Sequence, residues 1–156
     1  MVGVQEALSV LGLLIKHEEL IAELYDQFAR RYAGHRALWS GLADEEREHA
    51  NWIRRLYLLA QRGEVRIVEE RFNVQALRTS LHYMKVLLEH ARQGISAERA
   101  LAVGVQIESS MAEDRRFEVF ASNDAEGQRL LEQLRRDIQG HRARIEQARD
   151  AIGPVA

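Results

Sequence analysis

The chain has 156 residues, 46% hydrophobic and 29% charged, which is the size and balance of one globular domain. Its 22 Lys and Arg stand against 24 Asp and Glu, and the resulting net charge of -2 offers no basic field for nucleic-acid phosphates. The lack of cysteine excludes disulfides, zinc fingers, iron–sulfur clusters and cysteine-ligated iron, so any bound metal must sit on oxygen and nitrogen.

The single proline, Pro154, lies near the C-terminal end, so glycines and polar clusters punctuate the chain and long helices are favoured. The first helix is predicted from about Gln5 to Tyr32, with Gly34 as a left-handed C-terminal cap. Its beginning, MVGVQEALSVLGLLIKHEEL, has no basic segment before the apolar run and no small-residue cleavage site after it, so it reads as a mature helix. No run approaches about 20 uninterrupted apolar residues, so no membrane span is expected, and a reducing, cytoplasmic setting is. A second helix runs from about Arg36 to Arg62 and stops at Gly63. Residues 64–71, EVRIVEER, alternate in polarity but are too few and unpartnered to found a sheet, which predicts an extended connection. Asn73 then caps a third helix, with Phe72 and Leu77 as a hydrophobic staple, reaching about Arg92 before Gly94. Ser96 caps a fourth from Ala97 to about Ala121, and the cluster Ser122, Asn123, Asp124 separates it from a fifth, Ala125 to about Ile152. Four helices are long and similar, and the third lies inside the connection between the second and fourth. The outline is all-α: one four-helix bundle domain over residues 1–156, with a long crossover that carries an extra helix.

Steps of three and four trace an apolar stripe on each long helix, and charge interrupts every stripe near its middle. Helix one gives Leu11, Leu14, Glu18, Ile21, Tyr25, Phe28; helix two gives Leu38, Leu42, Glu46, His49, Ile53, Leu56. Helix four gives Leu101, Val105, Glu108, then Met111 or Ala112; helix five gives Leu131, Leu134, Ile138, His141, Ile145, Ala148. Antiparallel helices of equal length align their midpoints, so Glu18, Glu46, His49, Glu108 and His141 are expected at one level of the interior. Burying three unpaired carboxylates would overwhelm the roughly 5 to 15 kcal/mol stability of a domain, and a cation resolves this. Carboxylate plus imidazole without thiolate suits iron, manganese or zinc, and the i, i+3 spacing of Glu46 and His49 puts both on one face. The chain also repeats itself faintly: Leu38, Leu42, Glu45 and His49 recur at one offset as Leu130, Leu134, Asp137 and His141.

These residues resemble, over almost the whole chain, the rubrerythrin-like members of the ferritin-like di-iron carboxylate proteins. In that family each helical hairpin supplies a Glu from one helix and a Glu-x-x-His from the other, around two metal ions. Glu18 matches the first Glu, with Tyr25 two turns later; ADEEREHA supplies Glu46 and His49; VQIESS supplies Glu108; LRRDIQGHRARI supplies His141. The second Glu-x-x-His reads Ile138-Gln139-Gly140-His141, so its carboxylate is replaced by hydrocarbon. Asp137 stands one residue earlier, as a substitute ligand or a flanking group, and Arg115 occupies the place that corresponds to Tyr25, where a cation could neutralise a carboxylate that has lost its metal. The resemblance implies iron, one or two ions per chain, reacting with peroxide or dioxygen as a peroxidase or ferroxidase, in a homodimer. Without a cysteine-ligated electron-transfer module, electrons must come from a separate donor protein or from ferrous iron itself. Two other readings stay open: iron storage or delivery without turnover, and a metal-free helical interaction module.

Several residues invite plainer readings. Glu19, Glu23, Glu45 and Glu48 fall off the stripes and read as exposed charges; His17, His35, His82 and His90 read as surface residues that could alternatively steady a metal-bound imidazole. The arginine pairs at 30–31, 54–55, 115–116 and 135–136 interleave with acids and read as solvated helix faces. Gly12, Gly41, Gly104 and Gly140 sit inside predicted helices, which points to close helix approach.

Overall fold

The computed structural model describes residues 2–68, 74–113 and 116–152. Among them are five helices: α1 (Val2–Arg31), α2 (Arg36–Gln61), α3 (Val74–Gln93), α4 (Ala97–Glu113) and α5 (Ala125–Ile152). Two short strands, β1 (Val65–Ile67) and β2 (Phe120–Ser122), complete the mostly helical chain. The apolar stripes explain the packing, because each helix turns its stripe inward, together with the few charges that interrupt it, and leaves most of its other charges in water. α1 packs along α2, α4 along α5, α2 touches α5, and α3 lies against the outer side of α1.

α1 is buried on two faces. Ala7, Val10, Leu14, His17, Ile21, Leu24 and Phe28 are all buried, as are Leu11, Glu18 and Tyr25 on the adjoining stripe. One face meets α2 and the other meets α3. Below the charged level, Trp39 packs between Tyr25 and Phe28, with ring centroids 5.0 and 4.9 Å away. Each such fully buried side chain contributes roughly 1.5 to 3 kcal/mol, so this aromatic block anchors the α1–α2 pair.

The helix ends have identifiable causes. α2 stops at Gly63, whose φ of 75° is left-handed; Gly63 N donates to the Ala60 carbonyl and Glu64 N to Leu59, closing both orphan carbonyls. The Ser96 hydroxyl accepts from Arg99 N at 3.1 Å and caps α4, and the Asp124 carboxylate accepts from Gly127 N and caps α5. Gly34 departs from expectation. It lies in a 3₁₀ turn, Ala33–His35, without left-handed φ, because the chain tightens to i→i+3 bonding between α1 and α2. The expected Phe72 and Asn73 staple and cap lie outside the described residues, as do Arg115 and Pro154.

The expectation that residues 64–71 have no pairing partner, and that α4 extends to Ala121, is corrected by one feature. β1 pairs antiparallel with β2, Val65 opposite Ser122 and Ile67 opposite Phe120. α4 ends at Glu113, and Phe117, Val119 and Phe120 are buried in the turn and strand that follow. An aromatic and β-branched run satisfies its backbone by pairing sideways while its side chains fill the end of the core. The clip ties the chain leaving α2 to the chain entering α5. The buried Ser122 hydroxyl donates to the Glu64 carbonyl at 2.8 Å and accepts from Asp124 N.

Of the four glycines that the sequence places in helix interiors, close approach holds at Gly104 alone, while Gly127, in the first turn of α5, lies against the Ser122 side chain. A Cβ at Gly104 would stand 2.8 Å from Trp39 and 3.2 Å from Ile145, whereas Gly12, Gly41 and Gly140 have nothing within 4 Å. Gly104→Ala is expected to destabilise the protein by about 1 to 3 kcal/mol through overpacking, despite better helix propensity. Gly12→Ala should stabilise by up to about 1 kcal/mol. Denaturant unfolding of the two variants checks this; similar shifts of one sign would refute the packing argument.

Candidate metal centre

Glu18 from α1, Glu46 and His49 from α2, Glu108 from α4 and His141 from α5 converge in the interior, each at most 2% exposed. Glu46 stands at the middle. Its Oε1 is 2.7 Å from His141 Nδ1, and its Oε2 is 3.3 Å from His49 Nδ1. Glu18 Oε2 lies 3.9 Å from His49 Nδ1, and Glu108 Oε1 lies 3.7 Å from His141 Nδ1. The two imidazoles stack, with centroids 5.0 Å apart and planes inclined by 15°. Tyr25 donates its hydroxyl to Glu108 Oε1 at 2.7 Å, which gives that buried hydroxyl its partner.

Asp137 lies on the far side of His49, where its Oδ2 accepts from Nε2 at 2.9 Å and its Oδ1 accepts from Gln133. It therefore aims the His49 ring, leaving Nδ1 turned toward Glu46. The internal repeat places Glu45 in the corresponding position, and its Oε2 is 3.9 Å from His141 Nε2 while paired with Arg144. Glu45 is thus half-buried beside the cluster rather than the fully exposed charge its sequence position suggests. Ile138 is buried at the position that corresponds to Glu46.

The charges shape one another. Burial, and then the neighbouring Glu46, push the Glu18 carboxyl well above its usual range, and the same two causes bring Glu108 up to about 7. Burial also works to raise Glu46, but the nearby Glu18, the hydrogen bond with His141 and the close His49 outweigh it and hold this carboxylate well below the usual range. Burial opposes protonation of both imidazoles. Asp137 and Glu46 overcome it at His49, and Glu108 and Glu46 overcome it at His141, bringing each up to about 10. Asp137 is held low, chiefly by its hydrogen bond with His49.

The donor set fits a divalent cation. Glu46, His49 and His141 each offer one donor atom within 4.8 Å of the others, and all three are buried. Glu18 Oε2, Glu46 Oε2, Glu108 Oε2 and His141 Nε2 are buried without a hydrogen-bond partner. Each such orphan costs roughly 1 to 3 kcal/mol or more, and a cation is the partner that carboxylate oxygens lack here. Oxygen and nitrogen donors suit zinc, manganese or iron without selecting among them.

A second polar cluster escapes the sequence reading. His17 and Arg116 are 2% and 3% exposed, not surface residues. Arg116 Nη1 stands 3.1 Å from both ring nitrogens of His17, Nη2 donates to the Ser80 hydroxyl at 3.0 Å, and His17 Nε2 is 2.9 Å from the same hydroxyl. Burial, and then Arg116, take His17 down to about 3, so it stays neutral. The heptad from Ala7 through His17 to Phe28 was the available signal, because His17 continues the stripe that faces α3. Other charges do lie on solvated faces: Arg54 pairs with Glu19, Arg92 with Glu23 and Arg55 with Glu126. No described helix is long and apolar enough to cross a membrane.

Comparison of the chain with protein-family models, curated proteins and solved structures finds no match.

In the metal-free protein both imidazoles hold their protons more tightly folded than unfolded, so their stabilisation is whole below pH 6.5 and is lost as pH rises toward about 10. Glu18 and Glu108 act in the same direction, while Glu46 and Asp137 contribute above the usual carboxylate range and are lost only in acid. Stability in chelator should therefore fall from neutral pH toward pH 10 by on the order of several kcal/mol; thermal melts across that range measure it, and a flat profile contradicts it. Asp137→Asn should weaken Mn(II) binding by about 10- to 100-fold without lowering the number of ions held at saturation. A lower saturating number in a calorimetric titration would make Asp137 a ligand instead.

Proposed function

We propose that this chain is a non-haem iron protein of rubrerythrin type, with a ferritin-like four-helix bundle, that reacts with peroxide or dioxygen. The observation that carries the reading is the meeting of three buried carboxylates and two buried imidazoles from four helices, with one oxygen of each carboxylate unpartnered. The packing of α1 with α2 and of α4 with α5, joined by a connection whose helix α3 lies on α1, supports the bundle with a long crossover.

Glu46, His49 and His141 would hold the iron, with Glu18 and Glu108 within reach of the imidazoles. Bound ferrous iron would supply one electron per ion, so conversion of one peroxide to two waters, which takes two electrons and two protons, would draw the second electron from a further ferrous ion or from a separate donor protein. The protein's own groups prepare the place. Asp137 fixes the direction of the His49 ring, and Tyr25, two turns along α1 from Glu18, holds Glu108 through its hydroxyl. Leu14, Ile21, Leu42, Ile53, Leu134 and Ile138 are buried within a helical turn of these polar groups and keep bulk water out. Glu108 accepts a hydrogen bond from the Tyr25 hydroxyl at 2.7 Å, and in the metal-free protein burial and then Glu46 bring it up to about 7, so that it holds or releases a proton near neutral pH there.

Protein produced with iron should contain stoichiometric iron and change its optical spectrum on adding peroxide, and with a reductant it should consume peroxide repeatedly. A single stoichiometric event would indicate storage or delivery. Absence of iron would refute the reading.

A metal-free module is favoured by one specific observation, namely that His49 and His141 already pair with Glu46 and Asp137. Replacing Glu46 and His49 together by Leu separates the two: a stabilised protein with unaltered metal content supports the module, since packed hydrocarbon often outperforms a buried ion pair. Loss of the metal supports the iron reading.

A further inference from the structure

We infer that the centre holds one divalent ion per chain, shared by Glu46, His49 and His141, and not two, of the one or two that the family resemblance leaves open. The inference rests on the reading of this cluster as a metal centre and concerns its stoichiometry.

Three observations converge. The first is geometric. Donor atoms of Glu46, His49 and His141 all lie within 4.8 Å of one another. Any three points so related lie within about 2.8 Å of a common centre, and small side-chain adjustments reach the roughly 2.0 to 2.2 Å at which oxygen and nitrogen bind a divalent metal. The stacking of the rings at 5.0 Å brings both Nδ1 atoms to the same carboxylate, Glu46. His141 approaches its Oε1 and His49 its Oε2, so it is the mutual 4.8 Å spacing of one donor atom from each residue that defines a single point of convergence.

The second observation is the break in the internal repeat. His49 and His141 correspond, as do Glu45 and Asp137, so the counterpart of Glu46 is Ile138. Ile138 is 5% exposed and lines, with Met111, Phe117, Glu118, Arg135 and Gln139, a small open cleft of about 40 Å³, and its hydrocarbon side chain offers no oxygen where the repeat would place one. Two ions at the separation of about 3.5 to 4 Å found in two-metal sites need bridging anions between them, and this chain supplies one such carboxylate instead of two.

The third is charge. Glu18, Glu46 and Glu108 carry at most three negative charges, fewer than the four positive charges of two divalent ions. A buried surplus of positive charge has no free carboxylate to meet it, because the two flanking ones are already committed, Asp137 to His49 Nε2 and Glu45 to Arg144. A single divalent ion removes the surplus. It leaves Glu108 with the hydroxyl of Tyr25, which donates to it at 2.7 Å.

The test is a metal count on the full chain. Metal-free protein is titrated with Mn(II), desalted and analysed for manganese, and its electron paramagnetic resonance spectrum is recorded. One ion per chain with an isolated six-line signal is expected. Two ions per chain with a spin-coupled signal would overturn the inference while leaving the metal centre standing, whereas no bound ion would overturn both.

Single-histidine variants sharpen the distinction. With one shared ion, His49→Ala and His141→Ala should each fall to less than a tenth of the parental manganese; with two half-sites, each variant would keep one ion, which again overturns the inference. Ile138→Glu should raise the count from one to two, and Ile138→Gln, equal in shape and uncharged, should leave it at one. A folded Ile138→Glu protein that still holds one ion would show that this position does not set the number. Should that variant fail to fold, the parental count and the histidine variants decide.

Discussion

The interior of this protein is organised around one electrostatic constraint: three carboxylates and two imidazoles share a dry volume that cannot hold unbalanced charge. Moving even one ion from water into such surroundings costs several kcal/mol after relaxation, against a total stability of roughly 5 to 15 kcal/mol for a domain of this size. The cluster persists because each charge faces another. Glu46 faces both histidines, Asp137 faces His49 from behind, and Tyr25 faces Glu108. Protons or a cation complete the balance, and the two compete: an imidazole brought up to about 10 must release its proton before its Nδ1 can bind metal. Metal affinity and metal-free stability are therefore opposite sides of the same cluster.

The rest of the fold serves to keep that volume closed and in register. α1 is the central element, since one of its faces carries Glu18 and Tyr25 toward the cluster and the other carries His17 toward α3 and Arg116. The guanidinium of Arg116 spans His17 and Ser80, joining α1 to α3 and to the turn after α4. At the opposite end of the connection, the β1–β2 clip and the Ser122 hydroxyl fasten the entry to α5 against the exit from α2. Since α5 carries both Asp137 and His141, a shift of its start would displace two members of the cluster together.

Much of this was legible in the residue pattern, for reasons that differ from place to place. Stripes at helical spacing exposed Glu18, Glu46, His49, Glu108 and His141 because a charged residue on an apolar stripe has nowhere to go but inward. The helix ends at Gly63 and Ser96 were legible because left-handed turns and N-caps are chemically selective. The end of α4 was not, since no glycine or proline marks it. What stops that helix is a long-range event, the pairing of residues 120–122 with 65–67, and local propensity cannot see a partner fifty residues away. The same limit applies to His17, whose burial depends on α3 packing against a second face of α1. Gly12, Gly41 and Gly140 show the converse: a glycine in a helix signals close approach only when another element is there to approach.

The near-repeat of the two hairpins explains how an asymmetric centre can arise inside a symmetric frame. In one hairpin the residue before the stripe position, Asp137, reaches the far nitrogen of the opposing histidine; in the other, Glu45 stands 3.9 Å from the corresponding nitrogen of His141 and pairs with Arg144. His49 is consequently aimed, while His141 Nε2 is left buried and unpartnered. Replacing the counterpart of Glu46 by Ile138 removes a carboxylate whose burial would cost several kcal/mol unless compensated, and adds an apolar side chain that packs in its place. Hydrocarbon at that position stabilises the bundle in any state of the cluster, whereas a fourth carboxylate would stabilise it only with further positive charge beside it. Fewer charges are thus enough to satisfy the cluster, and its balance depends on fewer bound cations or protons.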